Sequence, residues 1–237
     1  MSYEPHDDWH EGVIDSFVED IEAMGVELDT KPVRLYGGGT RQQPVIHWSG
    51  FWSQGDGACF AGRVSDAHAW ALAAGYSASE ARQIKRLFDR LDVSLNATCG
   101  NRYPNQYSEM DSPYTEKRHK RINRLLKDVV AHWDSFCGEQ SHKLYRSLES
   151  EYTYQCAWGE LQLARENMAS ARESVSDCLE NVRGYRDAGM VNPDQYESAL
   201  TCLESAWEAY REATGTAFEA ASYAKRHHGI DWRECAP

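Results

Sequence analysis

The sequence predicts an α+β protein: a small antiparallel sheet of about four strands covered by helices, followed by a helix-rich C-terminal part that ends in a long antiparallel helical hairpin. Two short strand pairs separated by helical stretches predict the sheet. Unbroken helical periodicity after residue 115 predicts the helical part. We therefore divide the chain into an α+β domain, residues 1–113, and a helical domain, residues 114–237, with its hairpin at 158–228.

The first predicted element is an amphipathic helix over residues 9–25. Its apolar side chains recur every three to four positions, and Gly25 suits a C-terminal cap. Residues 1–29 hold ten carboxylates and no lysine or arginine, so the outer face of this helix is acidic. The next stretch, residues 28–44, has three consecutive glycines outside any phosphate-binding motif, and predicts a loop.

Residues 45–64 predict two antiparallel strands joined by a glycine-rich turn at Gln54–Gly57. The strand sequences, VIHWSGFWS and ACFAGRV, are rich in β-branched and aromatic residues. On the first strand Trp48 and Trp52 share one face and Phe51 lies on the other. If one of these faces is exposed, its rings form a patch of the kind that dominates protein interfaces.

Two helices and a second strand pair follow. Residues 65–74 are alanine-rich, and Ser77 can cap a helix that continues to Leu91. The stretches VSLNATCG and NQYSEMDSPY predict the second strand pair, with its turn near Asn101–Pro104.

The helix, glycine turn and helix over residues 71–86 also resemble a DNA-binding helix-turn-helix. In that interpretation Gly75 forms the turn, and Arg82 and Arg86 point outward toward a major groove. The strands on either side and the acidic total charge weigh against it.

The C-terminal hairpin carries the clearest pattern, because apolar residues step by alternating three and four positions in both arms. Asn192 and Pro193 suit the start of the second arm. The hairpin either binds a partner or packs on its own subunit, and the sequence leaves both open. The predicted seam is Leu161, Ala164, Met168, Ala171, Val175, Cys178, Val182 and Tyr185 in the first arm, and Tyr196, Leu200, Leu203, Trp207, Tyr210, Thr214, Ala217, Ala221 and Ala224 in the second.

Charge and cysteine usage limit the setting. The chain has 25 basic and 37 acidic side chains, a net charge of −12, which repels a phosphate backbone and disfavours direct nucleic-acid binding. Seven cysteines without a CxxC pair indicate reduced thiols in a cytosol. The short apolar runs and the N-terminus predict neither a membrane span nor a secretory signal.

The string from Ile46 to Phe60, IHWSGFWSQGDGACF, resembles a stretch found in uncharacterised phage, prophage and plasmid proteins, some of them loosely labelled antitoxin. The resemblance continues to LYRSLESEYTY, Leu144–Tyr154, and covers roughly residues 7–155. The resemblance implies that the protein comes from a mobile genetic element, and a virus is the kind of element it favours. It transfers no catalytic residues, and the hairpin arms depart from the pattern.

A catalytic centre is not predicted. His47 and Cys59 can face each other across the strand pair, with Asp56 in the turn, and a cysteine nucleophile needs such a base. However, a cysteine between Ala58 and Phe60 in a strand fits a core position. No HExxH motif is present, and the sequence predicts neither a metal nor another cofactor.

We predict a phage or prophage accessory protein of the host cytoplasm that binds a host protein or nucleoprotein complex. In this prediction it inhibits a bacterial defence system, as anti-CRISPR proteins do. Its acidic side chains occupy the site where the defence complex binds nucleic acid. The sequence does not decide whether the chain forms a homodimer. The alternatives are a DNA-binding regulator or antitoxin that uses residues 71–86, and an enzyme with a Cys/His site. The candidate partner-binding residues are Asp7, Asp8, Glu11, Asp15, Glu19, Asp20, Glu22, Trp48 and Trp52.

Overall fold

A computed structural model of the protein describes residue 5 and residues 8–100, 104–111, 120–187 and 193–231. The chain forms two compact units, residues 10–151 and residues 1–9 with 152–237. The domain boundary predicted between residues 113 and 114 lies outside the described residues. The predicted α+β class and the long C-terminal helix pair are confirmed.

The helices and strands alternate irregularly along the first unit, and the last two helices are much longer than the others. In chain order they are α1 (Glu11–Ala23), β1 (Val26–Leu28), β2 (Thr30–Arg34), β3 (Thr40–Pro44), β4 (Ile46–Trp48), β5 (Ala58–Phe60), β6 (Gly62–Val64), α2 (Ala67–Ala73), α3 (Ala78–Leu91), β7 (Ser94–Cys99), β8 (Gln106–Asp111), α4 (Lys120–Asp187) and α5 (Pro193–His228).

The main sheet of the first unit has four antiparallel strands in the order β1-β6-β7-β8. Val26 pairs with Val64 at one edge, and Leu95 pairs with Met110 at the other. The predicted pairing of the two strands around the glycine-rich turn is also confirmed, because β4 and β5 form a separate two-stranded antiparallel sheet.

A third small sheet was not expected from the sequence. Residues 28–44, which the sequence predicts to be a loop, contain the antiparallel hairpin β2–β3, with Thr30 opposite Pro44 and Arg34 opposite Thr40. Gly38 and Gly39 adopt positive φ angles in its turn. Most side chains of both strands are exposed, so the hairpin lacks the alternation of apolar and polar residues that marks a half-buried strand.

The core of this unit lies between the sheet, α1–α3 and the first part of α4. Trp70 of α2 and Trp133 of α4 are fully buried and meet edge to face, with ring centroids 5.8 Å apart. The indole N–H of Trp133 donates to the carbonyl of Asn96 at 3.0 Å, which attaches α4 to β7. On the other side of the core, the ring of Phe17 from α1 packs edge to face against Phe60.

The start of α3 follows the sequence prediction closely. The hydroxyl of Ser77 accepts from the backbone N–H of Glu80, and the Glu80 carboxylate accepts from the backbone N–H of Ser77. This reciprocal capping box satisfies two donors that a helix start leaves unpaired. Gly75, with φ of 90°, forms the turn between α2 and α3.

In the second unit α4 and α5 form the predicted antiparallel hairpin. Ala157 and Leu161, early in the first arm, share one buried cluster with Ala224 and Ile230 at the end of the second. The first arm does not begin a new helix at residue 158, because α4 is continuous from Lys120 to Asp187. All its predicted seam residues except Tyr185 are buried or half-buried.

The predicted seam of the second arm is wrong at three positions. Leu200, Trp207 and Thr214 are exposed. The half-buried positions next to them are three alanines, Ala199, Ala206 and Ala213. The alanines therefore share the seam with Tyr196, Leu203 and Tyr210, which are also half-buried. Small side chains at the contact let two helices approach more closely.

Candidate functional site

The loop between β4 and β5, residues Ser49–Gly57, is organised by one carboxylate. The backbone N–H groups of Trp52 and Ser53 both donate to Oδ2 of Asp56, the first at 2.8 Å. The hydroxyl of Ser49 donates to the other carboxylate oxygen at 3.3 Å. We call this segment the Trp52 loop. Its glycine-rich turn, which the sequence assigns to hairpin chemistry, is a hydrogen-bonded structure centred on Asp56.

The Trp52 loop is also attached to α4. The phenol of Tyr145 donates to the carbonyl of Gly50 at 3.4 Å, and the rings of Phe51 and Tyr145 lie 5.6 Å apart. Burial and the nearby carboxylates of Glu149 and Asp56 raise the pKa of Tyr145, so the phenol keeps the proton that it donates.

Trp52 lies at the tip of this loop with 77% of its surface exposed. The expectation that Trp48 and Trp52 share one face of a strand is wrong, because β4 ends at Trp48. The Asp56 carboxylate takes the N–H groups of Trp52 and Ser53, so these groups do not join the strand ladder. An indole held in the open by a fixed backbone has the form of an interface anchor.

Trp48 has a different environment. Its ring stacks at 4.7 Å on His10, directly before α1, and is half-buried. Both side chains line a recess of about 160 Å³ between α1 and the strands β2–β4. The recess brings together three predicted site residues, Glu11, Asp15 and Trp48.

The same recess contains two cations that sequence reasoning missed as part of the site. Lys31 of β2 and Arg41 of β3 line it, and a guanidinium nitrogen of Arg41 lies 3.4 Å from a carboxylate oxygen of Glu11. Both partners are about half exposed, so the pair contributes little to stability. The N-terminal part of the acidic face is therefore partly neutralised, and only a prediction of the β2–β3 hairpin would have revealed it.

The predicted acidic residues of α1 form a stripe along the helix. Glu11, Asp15, Glu19 and Glu22 follow one another at spacings of four, four and three, which places them on one face. All are exposed, as are Asp8 before the helix and Asp20 on another side of it. Asp7 lies outside the described residues.

The Cys/His pair is arranged differently from a catalytic dyad. His47 and Cys59 are register partners on β4 and β5, but Cys59 is fully buried and the His47 side chain is exposed. A side-chain hydrogen bond with Cys99 lowers the pKa of Cys59, although burial opposes this effect. The thiol faces another thiol inside the protein, away from any substrate in solution.

The helix-turn-helix-like segment does form two helices with a short turn. Trp70 and Ala71 of α2 and Ile84 of α3 are buried, and Arg82 and Arg86 are exposed on the outer face of α3. Four basic residues of this helix, Arg82, Lys85, Arg86 and Arg90, are exposed, and the exposed carboxylate of Asp89 lies among them.

Three further observations concern the described residues. Among them, no group of three or more histidine, cysteine, aspartate or glutamate side chains is placed to hold a metal ion. Within the same part of the chain, none of the helices combines the length and apolar character needed to cross a membrane. The six cysteines that the structure describes are free thiols.

Comparison with known proteins gives one match. A family model described as a domain of unknown function (DUF8835) matches residues 9–157, which include α1, all the strands and the Trp52 loop. Neither the curated proteins nor the solved structures contain a match to the chain. The matched range ends shortly before the arms of the hairpin.

Proposed function

The chain belongs to the family of the domain of unknown function DUF8835, and from that premise we propose that it acts by binding another protein. The observation that carries the proposal is Trp52, an indole 77% exposed on a loop whose backbone is fixed by Asp56 and Tyr145. An exposed tryptophan on a fixed backbone loses little conformational entropy on binding and supplies a large apolar contact.

The acidic stripe of α1 supports a partner with a basic surface. Trp48, the residue before the Trp52 loop, stacks on His10 at the start of α1, so the loop leaves the sheet beside the acidic helix. Glu19 and Glu22 lie farthest along the stripe from the Arg41–Glu11 pair. The carboxylates of this stripe are complementary in charge to the lysine and arginine side chains with which a partner protein binds nucleic-acid phosphates.

The partner class that fits is a nucleic-acid-binding protein or nucleoprotein complex. In the viral setting that the sequence resemblance implies, we propose a bacterial defence complex in the host cytoplasm, inhibited because acidic groups occupy its nucleic-acid site. Catalysis and a cofactor have no role in this proposal. What supports it is the combination of an exposed aromatic anchor with a neighbouring row of carboxylates.

Affinity capture from a bacterial lysate tests this proposal. We expect the wild-type protein to retain a basic nucleic-acid-binding protein that added duplex DNA displaces. Trp52→Ala and the double variant Glu19→Lys with Glu22→Lys should each lose it. Tyr36→Ala is the matched control, because Tyr36 is a fully exposed aromatic residue in the β2–β3 turn. Capture that is insensitive to DNA and to both variants would contradict the proposal.

A second candidate function is direct DNA binding by α3. The observation that favours it is the two-helix arrangement with a positive-φ glycine in its turn and exposed Arg82, Gln83 and Arg86 on the second helix. A gel-shift series at increasing salt tests it. If α3 binds DNA, Arg82→Ala and Arg86→Ala each lower the slope of log affinity against log salt by about one. Arg34→Ala, on exposed β2, is the control.

A further inference from the structure

The C-terminal hairpin presents an apolar stripe that its own seam does not use. Leu200, Trp207 and Phe218 of α5 are 42%, 43% and 73% exposed. At 3.6 residues per turn the three side chains lie within about 20° of one line along the helix. The stripe is about 27 Å long, since the helix rises about 1.5 Å per residue. Arg211 is also exposed and lies on the same line between Trp207 and Phe218, so the stripe is apolar on either side of this cation. A line five turns long suits another helix better than a small ligand.

A groove between the two arms runs beside the C-terminal end of this stripe. Its volume is about 450 Å³, and its charged lining residues are both cations, Arg165 and Lys225. Thr214 and Ser222 add two hydroxyls. The floor and walls are otherwise apolar, formed by Leu161, Met168, Ala217, Phe218 and Ala221.

The charges that flank the stripe change sign along α5. Next to the stripe, the N-terminal half of the helix carries carboxylates, and the C-terminal half carries more cations than carboxylates. The exposed charges are Asp194, Glu197, Glu204 and Glu208 in the first half, and Arg211, Lys225 and Arg226 with Glu212 and Glu219 in the second. The helix therefore has an acidic half and a net basic half along the same edge.

We propose that this stripe is the interface with a second copy of the chain, with the two α5 helices antiparallel about a two-fold axis near residues 210 and 211. This arrangement places Trp207 opposite Thr214 of the other copy and Leu200 level with Ala221, whose half-buried side chain lies at the edge of its own seam. Phe218 lies level with Leu203. Two of the three large side chains then meet small ones, and each pair occurs twice because the interface is symmetric.

The charges select the antiparallel direction. In it the end of each α5 with Asp194 and Glu197 lies against the end of the other with Lys225 and Arg226, and Glu197 lies close to Lys225 of the second copy. Arg211 lies at the two-fold axis, near Glu208 of the second copy. A parallel pair would place the two acidic halves against each other. The inference does not depend on the proposed function, since the Trp52 loop and α1 take no part in it.

Sedimentation of the full chain over a concentration series tests the interface. We expect a species of twice the 27.0 kDa chain mass, and a shift to the single-chain mass in Leu200→Glu and in Trp207→Glu. Leu163→Glu is the matched control, because Leu163 is 40% exposed on the far side of α4, near Leu200 in exposure. Helical circular dichroism of each variant establishes that the hairpin is still folded.

Charge reversal tests the direction. Glu197→Lys should weaken association at least tenfold at low salt, and adding Lys225→Glu in the same chain should restore it. A wild type that stays at the single-chain mass at every concentration overturns the proposal. So does association that Leu163→Glu weakens as much as Trp207→Glu. Failure of the double charge reversal to restore association overturns the antiparallel arrangement.

Discussion

The side-chain amide of Gln106 pairs with the backbone of Phe60 as a neighbouring strand would. Its Oε1 accepts from the Phe60 N–H at 3.0 Å, and its Nε2 donates to the Phe60 carbonyl at 3.0 Å. Gln106 lies on β8 of the four-stranded sheet and Phe60 on β5 of a separate pair. The hydroxyl of Ser141 in α4 donates to the same Oε1 at 2.7 Å. One side chain thus joins two sheets and a helix.

Replacing Gln106 by alanine is expected to destabilise the fold by about 2–4 kcal/mol. The change removes these three hydrogen bonds and leaves the backbone of fully buried Phe60 without its side-chain partners, and an unpaired buried polar group costs about 1–3 kcal/mol. Urea unfolding measures the difference. Gln42→Ala, on exposed strand β3, is the control and should change the free energy of unfolding by less than about 0.5 kcal/mol.

Two buried tryptophans should respond differently to the loss of their indole N–H. Trp133 donates to Asn96, whereas within the described part of the chain the Trp70 N–H is buried without a hydrogen-bond partner. Both changes to phenylalanine leave a cavity, but only Trp133→Phe also removes a hydrogen bond. We expect Trp133→Phe to cost about 1 kcal/mol more than Trp70→Phe in thermal or urea unfolding. Equal costs would contradict the role assigned to the Asn96 bond.

Asp56 should control the order of the Trp52 loop without controlling the fold. Asp56→Ala removes the acceptor of the Trp52 and Ser53 N–H groups, so amide hydrogen exchange at these two positions is expected to accelerate at least about tenfold. The exposed loop contributes little to the core, and global unfolding should change by about 1 kcal/mol or less. Exchange at Leu95, in the buried sheet, serves as the internal control and should keep its wild-type protection.

Tyr76 should make the protein less stable at alkaline pH. Burial, together with the hydrogen bond that its phenol donates to Asp128 at 3.1 Å, raises the pKa of Tyr76 well above its usual value near 10. The phenol ionises more readily in the unfolded chain, so its contribution is complete below about pH 10 and declines as the pH rises further. Tyr76→Phe should therefore flatten the loss of stability above about pH 10 in urea titrations. Asp128→Asn, which keeps an acceptor but removes the charge, should flatten it in part.

Local sequence signals predicted those elements whose residues have one strong physical requirement. The Ser77 capping box, the helix through Phe17 and Ile21, and the strands β4, β5, β7 and β8 follow from caps and from strand-forming or helical patterns of apolar residues. The hairpin β2–β3 could not be found in this way, because its exposed strands carry polar residues on both faces. The amide of Gln106 as a connection between sheets depends on packing between residues 46 positions apart.

The candidate site was predictable in part. The sequence named Trp48 and Trp52 as candidate partner-binding residues but left open whether their rings are exposed, and the structure exposes Trp52. The local sequence does not show that Trp48 and Trp52 differ in exposure, because both fit one face of a strand. They differ because the backbone N–H groups of Trp52 and Ser53 donate to Asp56 instead of continuing the strand. The ion pair between Arg41 and Glu11 could not be predicted from the sequence either, because it forms only when the β2–β3 hairpin lies next to α1.

The hairpin seam shows that a heptad pattern predicts the spacing of the seam residues better than it predicts which face of the helix packs on its partner. In α5 the stripe at Leu200 and Trp207 and the neighbouring line through Ala199, Ala206 and Ala213 have the same seven-residue period, so the sequence favoured the more apolar line. The structure partly buries Ala199, Ala206 and Ala213 together with Leu203 and Tyr210. Leu200 and Trp207 remain exposed, because the alanines beside them let the two helices approach more closely there.

A close approach of the arms should make the buried alanines of α5 intolerant of larger side chains. Ala224 is fully buried against Leu161 and Ala157, so Ala224→Leu forces extra methyl groups into a packed seam and should cost about 1–3 kcal/mol. Ala209→Leu, the same change at an exposed position of the same helix, should stay within about 0.5 kcal/mol. Thermal unfolding, monitored by circular dichroism, compares the two variants. Both replace alanine by leucine in the same helix, so the change in helix propensity is equal. If both variants melt with the wild type, the seam has room for a leucine and the arms are farther apart than the small residues imply.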